Sequence, residues 1–339
     1  QIGEGRDVLE IDPSQDAMSQ IQDYLDAHSD TKYDAVHIMT HGNDLGFYLG
    51  STKVTTADQM SVFNGHMAEN GDFMLYGCEL ASNEHGQSLI QDIADFTGCD
   101  VAASTNTTGI SGDWALEYNV GVIETVNISI RNWDHNLKTW KIIDDNTSGK
   151  YDGENIGDIT AGLASGDVIE FYSDITEYGI TTITADNITV RSATVDGAQQ
   201  SYTYTVAGSL TVDTGASITF TSSVSGISGN GNGIINVSGS LSLETATTAI
   251  VKLDGGALKI TGATVSKVDA FGASSIDSSG VISSLTLNTG GTLNLSSGTV
   301  TGTVNRGTLT GAGATFGAVT NYVDFTLTGG SVSSLDNSG

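Results

Sequence analysis

A histidine and a cysteine, each just past a short apolar run, are the residues of this chain best placed to do chemistry. Ala35-Val36-His37-Ile38-Met39 leads into Thr40-His41-Gly42, and Asp72-Phe73-Met74-Leu75-Tyr76 leads into Gly77-Cys78. An imidazole beside a thiol suits covalent acyl transfer: sulfur attacks a carbonyl carbon while the ring moves the proton. In a parallel α/β sheet, reactive groups gather beyond the carboxyl ends of the strands. His41 and Cys78, 37 residues apart, then share one sheet edge, separated by about 4.8 Å if their strands are neighbours. The amides of Gly42 and Cys78 are candidates to cradle a tetrahedral oxyanion. Gly42 and Gly77 leave room for a peptide to approach the backbone. A helix starting near residues 83–86 puts amide dipoles close to Cys78, which favours its thiolate.

The elements that must position this pair are written in residues 1–135. A strand is expected at 8–11 and a helix over 14–28, where Met18, Ile21 and Leu25 form a stripe behind Asp12-Pro13-Ser14. Continuous apolar runs predict buried strands at 35–39, 72–76 and 101–103, with one more over 114–118. Helices are expected around 58–67 and 87–96. Strict alternation of strand and helix predicts an α/β three-layer sandwich with a mostly parallel sheet.

Residues 136–339 follow a different grammar, and the boundary is expected near 135. All six histidines, both cysteines and all five methionines precede it. After it, one phrase recurs: Gly208-Ser209-Leu210-Thr211-Val212, Gly239-Ser240-Leu241-Ser242-Leu243, Gly256-Ala257-Leu258-Lys259-Ile260 and Gly291-Thr292-Leu293-Asn294-Leu295. Each is a short period-2 strand behind a turn residue, at uneven spacing. Such arrays predict a parallel β-helix of coils that vary in length. The run over 165–171, then 180–183 and 187–190, resembles the first coils of right-handed parallel β-helices of the pectate-lyase and adhesin kind. A row of immunoglobulin-like sandwiches fits less well, because the phrases come too close together.

Charge and composition exclude several classes. With 12 Lys+Arg against 40 Asp+Glu, the net charge is −28, a field that repels nucleic acid and anionic membrane. No apolar run approaches the roughly 18 residues of a membrane-spanning helix. The 43 glycines lack collagen spacing, and two cysteines make no disulfide framework. The sequence opens at Gln1-Ile2-Gly3 and stops inside the repeat at Gly339, as expected of a piece of a longer polypeptide. No cofactor is expected, though an acidic surface leaves scope for structural calcium. No metal site is expected either, since no close ligand pair such as C-x-x-C frames His41 and Cys78.

The order and content of several motifs carry a resemblance. His37-Ile38-Met39-Thr40-His41-Gly42, Leu75-Tyr76-Gly77-Cys78-Glu79-Leu80-Ala81, Thr97-Gly98-Cys99-Asp100-Val101-Ala102-Ala103-Ser104, Thr108-Gly109 and Gly112-Asp113-Trp114-Ala115-Leu116-Glu117 resemble an uncharacterised domain found near the N-terminus of giant bacterial surface adhesins. A strand ending in His-Gly and a later strand ending in Cys also resembles the caspase-like cysteine peptidases, among them gingipains, clostripain and legumain. The resemblance covers about residues 6–125. It implies Cys78 as nucleophile and His41 as the acid that protonates the leaving amine. It places Asp113, Trp114 and Glu117 at the pocket for the residue before the cut bond, where a carboxylate favours Arg or Lys. Packing by Trp114 and turn-capping by Asp113 is the plainer alternative. The family usually has Ala at Cys99, which makes Cys99 a buried small residue, and a strand and helix ahead of 7–11 that are missing here.

The function expected is therefore that of a secreted or surface adhesin fragment. Its cysteine-peptidase-like domain would cleave its own chain or a neighbouring surface protein, and self-processing would explain a chain that begins at Gln1. The alternative is an inactive cap or docking module on a structural stalk, with Cys78 and His41 a relic. The stalk is expected to bind a cell-surface or matrix ligand, outside the cell. A Cys78–Cys99 disulfide is disfavoured because one cysteine closes a strand and the other opens one. A polysaccharide-cleaving site is disfavoured too, since residues 290–339 hold only Arg306 as a basic residue. His37 reads as a structural residue; His28, His66, His85 and His135 show no identifiable partner.

Overall fold

Period-2 burial dominates the computed structural model, which is mostly parallel β-sheet with few helices. It describes residues 7–12, 16–50, 52–109, 112–128, 130, 137–144, 151–195, 198–230 and 233–338. The chain divides into two compact units, Gln1–Thr139 with Thr194–Ala198, and Trp140–Ala193 with Gln199–Gly339.

In the first unit α1 spans Ala17–Ala27 and is capped by the Asp16 carboxylate, which accepts from Ser19 N–H at 2.7 Å. Strand β1 (Tyr33–Met39) follows. Next come three short antiparallel strands, β2 (Gly42–Asn43), β3 (Gly46–Leu49) and β4 (Thr52–Val54), and a 3-10 helix, Ala57–Phe63. Then β5 (Met67–Tyr76), α2 (Glu84–Thr97), β6 (Asp100–Ala103) and β7 (Tyr118–Val120) complete the unit. The main sheet has the order β1-β5-β6-β7, parallel except for β7 against β6. β5 is central and buried from Gly71 to Tyr76, whereas β1 is an edge strand and only half buried.

Alternating side chains divide between two cores. Phe73, Leu75, Val101 and Ala103 face one cluster with Ile21 and Leu25 of α1, Met60 of the 3-10 helix and Ile90 and Ile93 of α2. Met74, Tyr76 and Ala102 face the other, with Cys78, Leu116 and Leu137. Among the described residues, helices therefore cover one face of the sheet, and loop segments cover the other. The second helical layer expected of a three-layer sandwich is absent there.

Other expectations need correction. Residues 8–11 form no strand: Val8 is 63% exposed and only Ile11 reaches the core. Pro13 and Ser14 lie outside the described residues, and Asp16 caps the helix. The stretch 114–118 is irregular until Tyr118, because Glu117 is drawn to Thr105 and Asn106 instead. The segment after His41 is the β2–β4 meander, strands the sequence reading does not include.

In the second unit, α3 (Ile156–Ile159), boxed by Asn155 and Asp158, follows the strand Thr139–Ile142 and precedes the remaining strands of two sheets, one of twelve and one of ten. From Ser240 onward, consecutive strands alternate between the sheets: Ser240–Leu243, Thr247–Asp254, Ala257–Ile260, Thr264–Phe271 and so on to Ser331–Asn337. Inward residues stack in register, as in Leu241–Leu258–Ile276–Leu295, and join one continuous apolar cluster. Phe171, Tyr204 and Phe220 stack at 5.6 and 5.4 Å near its start. Further on, the aliphatic column Leu253–Ala270–Leu287 passes into an asparagine ladder. Asn305 Nδ2 donates to Asn321 Oδ1 at 2.7 Å, and Asn321 Nδ2 to Asn337 Oδ1 at 3.0 Å.

Candidate active site

The pairing of β1 with β5 brings the two candidate residues to one edge. Met39 is the register partner of Tyr76, and His41 and Cys78 each lie two residues further on, at equivalent positions beyond adjacent parallel strands. The backbones are drawn together by glycines. A Cβ at Gly42 would sit 2.8 Å from Leu80 Cδ2 and 3.3 Å from Gly77 Cα, and one at Gly77 2.9 Å from Leu80 Cδ1. Leu80, plugged beneath the two turns, is thus the reason for both glycines. The meander holds the histidine turn, with Tyr48 N–H donating to the His41 carbonyl at 3.0 Å.

Cys78 is fully buried and free of any disulfide. Thr108 N–H donates to its Sγ at 3.1 Å, and the thiol faces the Thr108 carbonyl at 3.4 Å. The helix expected near residues 83–86 is α2, which begins at Glu84, where Asn83 Oδ1 accepts from the amides of His85 and Gly86 at 3.0 and 3.1 Å. The residue after the cysteine, Glu79, has a left-handed backbone with φ +58°. Such conformations in a non-glycine residue are uncommon and concentrate at functional sites.

Both amides expected to hold an oxyanion point at one oxygen. Gly42 N–H donates at 3.2 Å and Cys78 N–H at 3.4 Å to the carbonyl of Leu137. Two converging backbone donors are the geometry that stabilises developing negative charge on a carbonyl oxygen. Residues 1–141 match the family described as Domain of unknown function (DUF4347). No curated protein and no solved structure matches the chain.

The remaining predicted residues fall in different places. Trp114 is half buried against the cluster containing Cys78 and Leu137, and packs on Tyr76 at 5.9 Å. Asp113 and Glu117 are exposed and bind Asn106, Thr105 and Ala115 N–H, tying the loop after β6. Among the described residues, Leu137 packs in an apolar cluster with Met74, Tyr76, Cys78, Ala102 and Leu116. Cys99 is buried ahead of β6, and burial pushes its thiol pKa up. His37 Nδ1 lies 3.2 Å from Tyr76 Oη, His28 Nδ1 2.8 Å from the Tyr24 carbonyl, and His85 Nδ1 2.8 Å from the Asp44 carbonyl. His135 lies outside the described residues.

Thr108, Leu137 and Lys138 complete the site and were not singled out as contributors. Thr108-Gly109 stood in the motif order, but its contact with sulfur depends on the fold. Lys138 Nζ pairs with Glu79 Oε1 at 2.9 Å. At the opposite strand ends, oxygens of Asp72, Asp100 and Glu124 lie within 4.8 Å of one another, a grouping of hard donors able to take a divalent cation. Asp72 is 1% exposed, and among the described residues only its Oδ2 has a hydrogen-bond partner, Thr125 N–H at 2.9 Å.

Proposed function

We propose that the first unit is a caspase-like cysteine peptidase domain and the second a right-handed parallel β-helix stalk, in a secreted or surface adhesin of the kind the motifs resemble. Cys78 attacks, His41 moves the proton, and the Gly42 and Cys78 amides hold the oxyanion. The observation that carries this reading is the convergence of those two amides on one carbonyl oxygen, beside a thiol and an imidazole at matched strand ends. Substrates are the chain itself or neighbouring surface proteins. For the stalk, the support is the alternation of strands between two parallel sheets around one core. A groove of about 400 Å³ lined by Ser238, Ser240, Ser274, Ser275, Thr292 and Asn294 offers hydroxyl and amide groups to a surface or matrix ligand. Structural calcium belongs to the same reading, held by Asp72, Asp100 and Glu124.

A second reading, an inactive cap on the stalk, draws on the complete burial of Cys78. A thiol probe separates the two at pH 6–7. Selective labelling of Cys78 that is reduced in His41→Ala supports the peptidase, with Cys99 as internal control. Equal, slow labelling of both cysteines supports the cap.

A further inference from the structure

The carbonyl held by the site amides belongs to this chain, and the bond it forms part of is gripped on both sides. Leu137 N–H donates to the Thr108 carbonyl at 2.9 Å, the same carbonyl that faces Cys78 Sγ at 3.4 Å. The Leu137 side chain is 4% exposed and packs with Met74, Tyr76, Cys78, Ala102 and Leu116. On the far side of the bond, Lys138 is fixed by Glu79 at 2.9 Å, and its backbone bridges to Gly42. This segment supplies part of the burial of Cys78. The Leu137 carbonyl sits on the amide of Cys78 itself.

We propose that Leu137–Lys138 is the peptide bond cut by Cys78, in cis. The proposal rests on the peptidase reading of Cys78 and His41, and it names the substrate. Sγ attacks the Leu137 carbonyl carbon, forming a C–S bond as the thiol proton passes to His41. The oxyanion is held by the Gly42 and Cys78 amides. The C–N bond then breaks, and His41 protonates the Lys138 nitrogen, which leaves as a free amine. Water attacks the thioester, forming a C–O bond and breaking C–S, and the thiol is restored. The products are a chain ending in the Leu137 carboxylate and one beginning Lys138-Thr139-Trp140. Holding the carbonyl and the sulfur in one site makes the reaction effectively unimolecular. The apolar surroundings of Leu137 set the preference for the residue before the cut: leucine-like, and neither basic nor acidic.

The test uses the whole chain as wild type, Cys78→Ala, Leu137→Asp and Leu137→Met, held at neutral pH. Intact mass and N-terminal sequencing follow the cut, and a leucyl acyloxymethyl ketone reads out the nucleophile separately. Wild type and Leu137→Met yield an N-terminus at Lys138, and Cys78→Ala stays whole. Leu137→Asp cuts roughly a hundredfold more slowly, because a carboxylate is rejected from an apolar pocket, yet its Cys78 still takes the ketone. Cys78 that takes the ketone while Leu137–Lys138 stays whole overturns the bond assignment and leaves the peptidase reading standing. A cut at that bond in Cys78→Ala at the wild-type rate also overturns it. Neither labelling nor cutting in any variant removes the peptidase reading and the bond assignment together.

Discussion

Leu137→Ala should expose Cys78 without unfolding the chain around it. Leu137 is 4% exposed and shares its cluster with Cys78, so truncation removes a fully buried side chain and leaves a partial cavity. Leu-to-Ala changes of this kind cost about 3–5 kcal/mol. The backbone bonds from Gly42, Cys78 and to Thr108 survive the change. The loss falls on the docking of the 137–138 segment, and at about 1.4 kcal/mol per tenfold its open state becomes at least a hundredfold more populated. Maleimide labelling followed by peptide mapping reads this directly, since a buried thiol reacts only through local opening. Cys99 lies in the other cluster, and its thiol is further suppressed by burial, so it reports global unfolding. The expected outcome is a Cys78 rate up by about two orders of magnitude with Cys99 changed by no more than roughly threefold. An unchanged Cys78 rate, or equal acceleration of both thiols, would refute the idea that this segment covers the nucleophile.

Three other outcomes follow from the same structure. Asn321→Ala breaks the asparagine ladder at its middle and leaves Asn305, fully buried, short of one partner; thermal unfolding should show a loss of about 1–3 kcal/mol. Burial raises the Glu177 pKa, against opposing bonds from Gly157 N–H and Tyr204 Oη. A raised carboxyl favours the folded state below its unfolded value of about 4.3, and that stability is lost as pH climbs through the folded value; Glu177→Gln should therefore gain Tm relative to wild type as pH goes from 4 to 7. Calcium at a hundredfold excess over its Kd should stabilise the wild type by about 2.7 kcal/mol, and Asp72→Asn should lose that shift in a calorimetric scan.

The sheet around the site was legible because its strands are apolar runs, and His41 and Cys78 were legible because they terminate two of them. Three features were not. Polar residues near the starts of β1 and β5, Asp34 and Glu69-Asn70, disguise how far the strands extend, and Asn70 at φ +60° breaks any simple pattern. The antiparallel β7 begins at Tyr118, beyond the apolar cluster Trp114-Ala115-Leu116, because those side chains serve the far face of the sheet. Leu137 carries no local signal, since its importance lies in a contact with residues 59 and 95 positions earlier, Cys78 and Gly42. The asparagine ladder was readable in principle, as Asn305, Asn321 and Asn337 recur every 16 residues. Burial of Asp72 beside Asp100 needed the β5–β6 register, which composition does not reveal.

Acid-quenched mass spectrometry of the wild-type chain beside Cys78→Ala tests the central claim most directly. Covalent catalysis by Cys78 on Leu137–Lys138 predicts a transient species of residues 1–137 lighter by one water than the free acid, the internal Leu137–Cys78 thioester, and predicts its absence from the variant. A wild-type chain that stays whole throughout, or a break at that bond proceeding equally in Cys78→Ala, would contradict it.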